Sequence, residues 1–194
     1  MISVLYVDDD ACLLEICKTF LERSGSMRVE TATSAGEGLD RIAVQEFDAV
    51  ISDFEMPAMN GIAFLKALRS RGSRIPFIIF TGRGREEIAI EAINSGADFY
   101  IQKGGEPRAQ FAELIHKVMA AVKRREGERA LQVSNSLLRA TLESTADGIL
   151  AIGSDGCITV FNQKFLQMWQ IPDAAAIRTE EDFLRHARTQ DQDV

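Results

Sequence analysis

Short apolar segments alternate with longer amphipathic segments through roughly the first 120 residues of this chain. The apolar segments are bounded by charged or turn-forming residues and are often β-branched, which is typical of strands. They read ISVLYV, MRVETA, DAVISD, PFIIFT and DFYIQK. Between them apolar residues recur at helical spacing, as in CLLEICKTFL, which predicts helices. Five strand–helix repeats predict an α/β fold with one parallel sheet covered on both faces.

Composition narrows the classes of function. The net charge of −7 argues against nucleic acid as the main partner, because phosphate binding favours a basic surface, and the chain has no nucleic-acid-binding motif. No stretch approaches the roughly 20 apolar residues of a membrane span, and MISVLYV lacks the basic region of a signal peptide. Cys12, Cys17 and Cys157 have no metal-ligand spacing. They are expected to be reduced thiols of a cytoplasmic protein.

Three consecutive carboxylates, in VDDD at residues 7–10, follow the first predicted strand. At an effective dielectric near 20, two like charges about 4 Å apart repel by roughly 4 kcal/mol, so either solvent separates them or a cation lies among them. The third, fourth and fifth strands end at Asp53, Thr81 and Lys103. Because parallel strands end at one edge of a sheet, these residues are expected to converge with Asp8 and Asp9. Such donors suit Mg²⁺ and a phosphoryl group.

Residues 1 to about 122 resemble the receiver domain of two-component response regulators, which has a flavodoxin-like, doubly wound, five-stranded parallel sheet. The motifs are DD after strand one, DFEMPAMNG at strand three, TG at strand four and ADFYIQK at strand five, with helices between them. The resemblance implies phosphorelay signalling with a histidine kinase or phosphotransfer protein as partner, and Mg²⁺ or Mn²⁺ as cofactor. It implies a phosphoacceptor that promotes its own phosphorylation and dephosphorylation, not an enzyme with a kinase catalytic domain.

The resemblance also implies roles for single residues. Asp53 would be the phosphoacceptor. The metal ligands would be Asp8, Asp9, Asp53 and the backbone carbonyl of Glu55. Lys103 would pair with the phosphoryl oxygens, Thr81 would hydrogen-bond them, and Tyr100 would be the aromatic switch residue. Asp10 is expected to cap the first helix, as aspartate commonly does.

The chain departs from the family near the switching surface. Family members usually carry proline after the lysine, whereas Gly104 and Gly105 follow Lys103 here. The GRGREE segment after Thr81 is also richer in glycine and charge than is usual.

Two other functions stay open. A haloacid-dehalogenase-like phosphatase needs a D-x-D pair, which Asp8 and Asp10 supply, but DFEMPAMNG would then have no role. The other is a scaffold that is not phosphorylated.

The last helix of the repeat continues into a polar segment, KRREGER at residues 123–129, after which apolar residues return. They return at Leu131, Leu137, Leu138 and Leu142. This pattern predicts a helical linker over residues 123–136, weakened at Gly127 because glycine costs roughly 1 kcal/mol relative to alanine.

Residues 137–194 are expected to form a second, truncated α/β module. DGILAIGSDGCITVFN contains two alternating runs around Asp155 and Gly156, which predicts a hairpin, and NQKFLQMWQI has helical spacing. The segment from LLRATLES to MWQIP resembles the N-terminal part of a PAS sensor domain. Some PAS domains hold haem, flavin or metabolites, and nothing in this sequence names a ligand. Trp169 is expected to pack in the core, and His186 is not expected to ligate haem.

A homodimer is predicted from the linker and the second module together. Leu131 and Leu138 are one heptad apart, and Leu142 adds the four-residue step of a coiled-coil seam. The incomplete PAS-like sheet would leave an exposed edge and an apolar face. The connector helix and the DGILAIGSDGCITVF hairpin are the expected contact regions. The alternative is a single helix that packs on its own receiver and then frays, because KRREGER interrupts the seam.

Overall fold

The computed structural model describes residues 1–23, 25–82, 86–172 and 177–190. It divides into two compact units, Met1–Glu128 and Arg129–Val194. No helix within the described residues is long and apolar enough to cross a membrane.

The first unit is built on a parallel sheet whose strands, within the described residues, run in the order β2-β1-β3-β4-β5. The strands are β1 (Ile2–Val7), β2 (Met27–Ala32), β3 (Ala49–Ser52), β4 (Phe77–Thr81) and β5 (Phe99–Gln102). Every neighbouring pair is parallel. The chain changes direction across the sheet between β1 and β3, which is the topological switch point of flavodoxin-like folds. The predicted five-stranded α/β sheet is confirmed.

Helices connect the strands and cover both faces of this sheet. They are α1 (Ala11–Glu22), α2 (Ala35–Val44), α3 (Gly61–Ser70), α4 (Glu86–Asn94) and α5 (Pro107–Ser144). Asp10 caps α1, as predicted, because its side chain accepts the backbone N–H groups of Cys12 and Leu13. Ser34 and Asn60 cap α2 and α3 in the same way. The α5 helix does not break at Gly127.

Two apolar clusters lie on opposite faces of the sheet. Val4 and Tyr6 of β1 pack with residues of α1 and α5. Leu5 and Val7 of the same strand pack with residues of α2, α3 and α4. Successive strand residues point to opposite faces, so a strand covered on both sides is apolar throughout. This double burial explains why ISVLYV shows no polar alternation.

Among its described residues, the second unit contains the end of α5, an antiparallel pair of strands and two further helices. These are β6 (Leu150–Ile152), β7 (Ile158–Phe161), α6 (Gln163–Met168) and α7 (Glu180–Gln190). The hairpin lies where Asp155 and Gly156 predicted it, whereas α7 was not predicted from the sequence.

A small apolar cluster and one buried amide organise the second unit. Phe165, Leu166, Ile171 and Ile177 form the buried cluster. Trp169 packs against Phe165 and Phe183, so it belongs to the core as predicted. The buried side chain of Asn162 donates to the carbonyls of Leu142 and Asp147 and accepts the backbone N–H groups of Ile149 and Phe165. His186 Nε2 lies 2.9 Å from the carbonyl oxygen of Trp169.

Candidate functional site

Two carboxylates and one ammonium group meet at the carboxyl-terminal edge of the sheet. Lys103 Nζ lies 2.7 Å from Asp8 Oδ2 and 2.7 Å from Asp53 Oδ1. Asp8 follows β1 and Asp53 follows the adjacent β3, which brings the two acids side by side. Lys103 follows β5, and its side chain passes over the Phe80 ring of β4 to reach them. We refer to Asp8, Asp53 and Lys103 as the acid–lysine cluster.

Backbone hydrogen bonds fix both carboxylates of the acid–lysine cluster. Asp8 Oδ1 accepts the N–H of Asp10 at 3.0 Å. Asp53 Oδ2 accepts the N–H of Glu55 at 2.5 Å. Aspartate readily forms such turns with the backbone two residues ahead. The orientation of each carboxylate is therefore set by a hydrogen bond to the backbone two residues later, in the loop directly after its strand.

Burial makes the charges of this cluster interact strongly. Only 2% of Asp8 and 6% of Asp53 are exposed. Burial raises the pKa of Asp53 above its ordinary value and the Asp8 charge adds to this, although Lys103 acts in the opposite direction. Burial would lower the pKa of Lys103, but its hydrogen bonds to Asp53 and Asp8 outweigh burial and raise it. Two carboxylates share one ammonium group, so the cluster retains an excess of negative charge.

The other predicted site residues, Asp9, Glu55, Thr81 and Tyr100, differ from one another in burial and position. Asp9 is exposed and follows Asp8, whereas Thr81 is buried as the last residue of β4. Tyr100 is half-buried on β5, against the face covered by α2, α3 and α4. Glu55 is exposed and points its backbone N–H at Asp53. Direct side-chain contact thus joins Asp8, Asp53 and Lys103, and the structure records none between these and Asp9.

The donors of this edge suit a hard divalent cation by their chemistry. Carboxylate and carbonyl oxygens are the ligands that Mg²⁺ prefers, and the cluster has one carboxylate more than it has ammonium groups. Within the described residues, no group of three or more histidine, cysteine, aspartate or glutamate side chains is already arranged around a metal position. Asp8 and Asp53 contact Lys103 and are not already arranged around a metal position. The case for Mg²⁺ at this edge therefore rests on the type of its donor atoms and on its excess negative charge.

Glycine is required at one position of DFEMPAMNG. Gly61 is the first residue of α3, and its N–H donates to the carbonyl of Phe54. A Cβ added at Gly61 would collide with the backbone carbonyl of Asp53. The glycine therefore lets α3 begin directly against the loop that carries Asp53.

The structure also explains why glycine replaces proline after Lys103. Gly104 has φ of 149° and Gly105 has φ of 88°, whereas proline fixes φ near −65°. No peptide bond is cis in the described ranges, so the Lys103–Gly104 bond is trans. The Gln110 side chain holds this loop by donating to the carbonyls of Gln102 and Gly104. Residues 83–85, half of the unusual GRGREE segment, lie outside the described residues.

Two buried residues, Tyr6 and Cys17, lie beside Asp8, and neither was predicted as a site residue from the sequence. The Tyr6 hydroxyl donates to Asp8 Oδ2 at 3.0 Å, and Cys17 Sγ lies 3.7 Å from the same hydroxyl. Burial raises the pKa of both Tyr6 and Cys17, which keeps both groups protonated as donors. The signal was present in the sequence: Tyr6 and Asp8 are two positions apart and so share one face of the strand.

Comparison with known proteins identifies the first unit. The response regulator receiver domain family matches residues 4–116. The response regulator SaeR of Staphylococcus aureus strain USA300 is 31% identical over 134 residues, which are 69% of this chain and 58% of SaeR. The matched part of the chain therefore spans less than two thirds of that relative.

Solved receiver structures match the fold of the same region. The Francisella response regulator 1452 receiver domain is 32% identical, with a TM-score of 0.59 over 64% of this chain and 99% of that one. A CheY-like receiver domain protein from Methanospirillum hungatei is 31% identical, with a TM-score of 0.57 over 64% of this chain and 98% of that one. With its parallel sheet and matching motifs, this chain belongs to the response regulator receiver family of two-component phosphorelay signalling.

Proposed function

We propose that this chain is a phosphorylatable signalling module in which Asp53 accepts a phosphoryl group from a histidine kinase or a phosphotransfer protein. The observation that carries the proposal is the contact of Lys103 with Asp53 and Asp8 at 2.7 Å to each. A partly buried lysine shared by two acids at strand ends is suited to charge compensation during phosphoryl transfer.

The residues of this chain would divide the chemistry as follows. A carboxylate oxygen of Asp53 attacks the phosphorus of a phosphohistidine, and the new P–O bond forms as the P–N bond breaks. The imidazole leaves with the bonding electron pair, while Lys103 balances the charge on the phosphoryl oxygens. Bound Mg²⁺, held by Asp8, Asp9, Asp53 and the Glu55 carbonyl, would supply further charge neutralisation and orientation.

The proposed switch lies on the two neighbouring strands. Thr81 is buried at the end of β4, and Tyr100 is half-buried on β5. A phosphoryl group on Asp53 adds acceptor oxygens and negative charge beside them. We propose that Thr81 hydrogen-bonds this group and that Tyr100 changes its packing in response, which would alter the surface around β4 and β5.

The local geometry favours a receiver over the haloacid-dehalogenase-like alternative. That alternative needs Asp8 and Asp10 as an acting pair, but the Asp10 side chain accepts backbone N–H groups of α1. Asp53, which the alternative leaves without a role, contacts the lysine directly.

Incubation with Mg²⁺ and acetyl phosphate tests the proposal against both alternatives. A protein-bound phosphoryl group that Asp53→Asn removes supports the receiver. Steady release of inorganic phosphate that is independent of Asp53 would support the phosphatase. A folded, Mg²⁺-binding protein with no adduct and no release would support the scaffold.

For the domain organisation of the whole chain, we propose a receiver over residues 1–122, a helical linker over 123–136 and the N-terminal part of a PAS-like sensor over 137–194. Support comes from the α5 helix, which extends to Ser144, and from the antiparallel hairpin of β6 and β7. The ligand of such a sensor is not specified by these residues. We also propose a cytoplasmic location, in keeping with the free thiols of Cys12, Cys17 and Cys157.

We further propose that the chain forms a homodimer through the later part of α5 and the hairpin. Leu131 is 64% exposed and Leu138, one heptad later, is 60% exposed. Leu137, Ile152 and Val160 add exposed apolar surface in the same unit. Such surface favours association because burial removes it from water.

Light scattering tests the dimer. The full chain is expected to be dimeric, and Leu131→Gln/Leu138→Gln and a shortened chain ending at Val122 are expected to be monomeric. Lys123→Gln/Arg139→Gln serves as a matched control on polar positions of the same helix. A monomeric full chain at high concentration, or equal dimerisation of the shortened chain, would contradict the proposal.

A further inference from the structure

A second charged site lies at the opposite, amino-terminal edge of the sheet. A cavity of about 280 Å³ opens beside the start of β4 and the start of β5. Its charged lining residues are Arg69, Arg74, Asp98, Arg124, Arg125 and Glu128. They come from the end of α3, the connections before β4 and β5, and the middle of α5. We call this the arginine cavity.

The arginine cavity concentrates positive charge in an acidic protein. Among the described residues that line it, four arginines face two carboxylates, which leaves a formal charge of +2. The whole chain carries −7. A local excess of this sign inside a concave site attracts anions even when the protein as a whole repels them.

Part of the arginine cavity is a rigid wall. The Arg69 guanidinium donates to the carbonyls of Ser73 at 3.1 Å, Ile75 at 2.9 Å and Gly96 at 2.9 Å. Asp98 accepts the backbone N–H of Phe77 at 2.8 Å and also pairs with Arg124. These bonds hold the guanidinium of Arg69 and the carboxylate of Asp98 in place before any ligand arrives.

The outer arginines are not neutralised in the same way. Arg74 is exposed, and none of the described residues forms an ion pair with it. Arg125 is 3.8 Å from Glu128, which is near the limit of an ion pair. Burial lowers the pKa of Arg69, and the like charge of Arg125 acts in the same direction, although Asp98 opposes both. An anion placed between these guanidinium groups would relieve their repulsion.

We propose that the arginine cavity binds a small phosphate-bearing ligand, at a site separate from the acid–lysine cluster. Guanidinium groups match phosphate geometry because each offers two parallel N–H donors. Arg69 supplies fixed positive charge at the wall of the site, since most of its N–H groups already donate to backbone carbonyls. Arg74 and Arg125 would supply the N–H donors that contact the ligand. A ligand held here would join the end of α3 to α5 before Glu128, the last residue of the first unit.

Calorimetric titration of the full chain with inorganic pyrophosphate tests this proposal. EDTA is present so that no metal-dependent binding contributes, and ionic strength is held constant with chloride. The parent protein is expected to bind, and Arg74→Ala/Arg125→Ala is expected to lose at least about tenfold in affinity, the worth of one good charged contact. Arg28→Ala/Arg139→Ala removes the same charge from exposed positions outside the cavity and is expected to bind normally.

A further variant separates the two edges of the sheet. Lys103→Met, titrated at a temperature where circular dichroism shows it folded, is expected to retain pyrophosphate affinity, since Lys103 lies in the acid–lysine cluster. Absence of binding by the parent, equal loss in the Arg28→Ala/Arg139→Ala control, or loss in Lys103→Met alone would overturn the proposal. Because the titration contains no phosphodonor and no metal, failure here leaves the test of Asp53 phosphorylation unaffected.

Discussion

The two edges of the parallel sheet carry charged clusters of opposite sign. At the carboxyl-terminal edge, two buried acids surround one lysine. At the amino-terminal edge, four arginines surround two acids, of which Asp98 is held by a backbone N–H. Each edge therefore leaves one sign of charge in excess, and the excess is anionic on one side and cationic on the other.

Burial differs between the edges and decides what each charge does. Asp8 and Asp53 are almost fully buried, so their ion pairs with Lys103 are poorly screened. Arg74 is exposed at the rim of the arginine cavity, where water screens it. We therefore expect loss of Lys103 to destabilise the folded state strongly, and loss of the outer arginines, Arg74 and Arg125, to change its stability little.

The largest expected effect comes from removing the cation of the carboxyl-terminal edge. Lys103→Met keeps the long side chain but leaves Asp8 and Asp53 buried without a counter-charge. Breaking a buried pair in this way costs about 3 kcal/mol. Urea unfolding at neutral pH measures the loss of stability. No measurable loss would contradict a larger contribution to stability from Lys103 than from Arg74 and Arg125.

The pH dependence of the same variant provides a second check. The pKa of Lys103 is raised in the folded state, so its ion pairs stabilise fully below its ordinary value of 10.5 and are lost as pH rises through the higher folded value. The difference in unfolding free energy between the parent and Lys103→Met is therefore expected to be constant near neutrality and to shrink in strong alkali. It should also shrink in acid, where Asp53, whose pKa burial raises, becomes protonated.

Mg²⁺ is expected to stabilise the carboxyl-terminal edge and not the other. At a concentration ten times its dissociation constant, binding to the folded state adds about 1.4 kcal/mol. The thermal midpoint should rise with Mg²⁺ in the parent and not in Asp9→Ala, whose side chain is exposed and whose loss leaves the acid–lysine cluster intact. An equal rise in both proteins would show that Asp9 is not a ligand.

Tyr6→Phe is expected to have a smaller effect. It removes the hydroxyl that donates to Asp8 Oδ2 and leaves the ring in the core. One hydrogen bond of this kind is worth about 1 kcal/mol, and Asp8 keeps its bonds to Lys103 and Asp10. Chemical unfolding measures the stability, and Cys17→Ser, which keeps a donor of similar size beside Tyr6, is the matched control. Stability unchanged by Tyr6→Phe would contradict a supporting role for this hydroxyl.

The smallest expected effect lies at the amino-terminal edge. Arg74→Ala/Arg125→Ala should change the unfolding free energy by less than about 0.5 kcal/mol. Arg74 is exposed, and Arg125 is half-exposed and 3.8 Å from Glu128. Thermal unfolding without phosphate measures this. A loss as large as that of Lys103→Met would remove the difference between the two edges.

The two edges also differ in how far the sequence predicted them. Asp8, Asp53 and Lys103 each follow directly after an apolar strand, so the strand pattern alone brings them to one edge. Arg69, Asp98 and Arg124 come from a helix end, a turn and the middle of a long helix. Their meeting depends on how α3 and α5 pack on the sheet, which periodicity does not specify.

The second unit shows the same limit. The hairpin was predicted because Asp155 and Gly156 signal a turn locally. The α7 helix was not, because EEDFLRHARTQ is mostly polar and its stripe becomes clear only where Phe183 packs against Trp169 and Phe165. Local turn chemistry is visible in a sequence, whereas an aromatic contact between distant helices is not.

The most direct test of the proposed function asks whether Asp53 carries the phosphoryl group. Treatment with acetyl phosphate and Mg²⁺, reduction of the acyl phosphate with borohydride and peptide mapping by mass spectrometry locate the modified residue directly. Modification is expected in the peptide that contains Asp53 in the parent, and not in that peptide of Asp53→Asn. Modification confined to another residue, such as Asp8, or a folded Mg²⁺-binding protein with no modification, would contradict the proposed function.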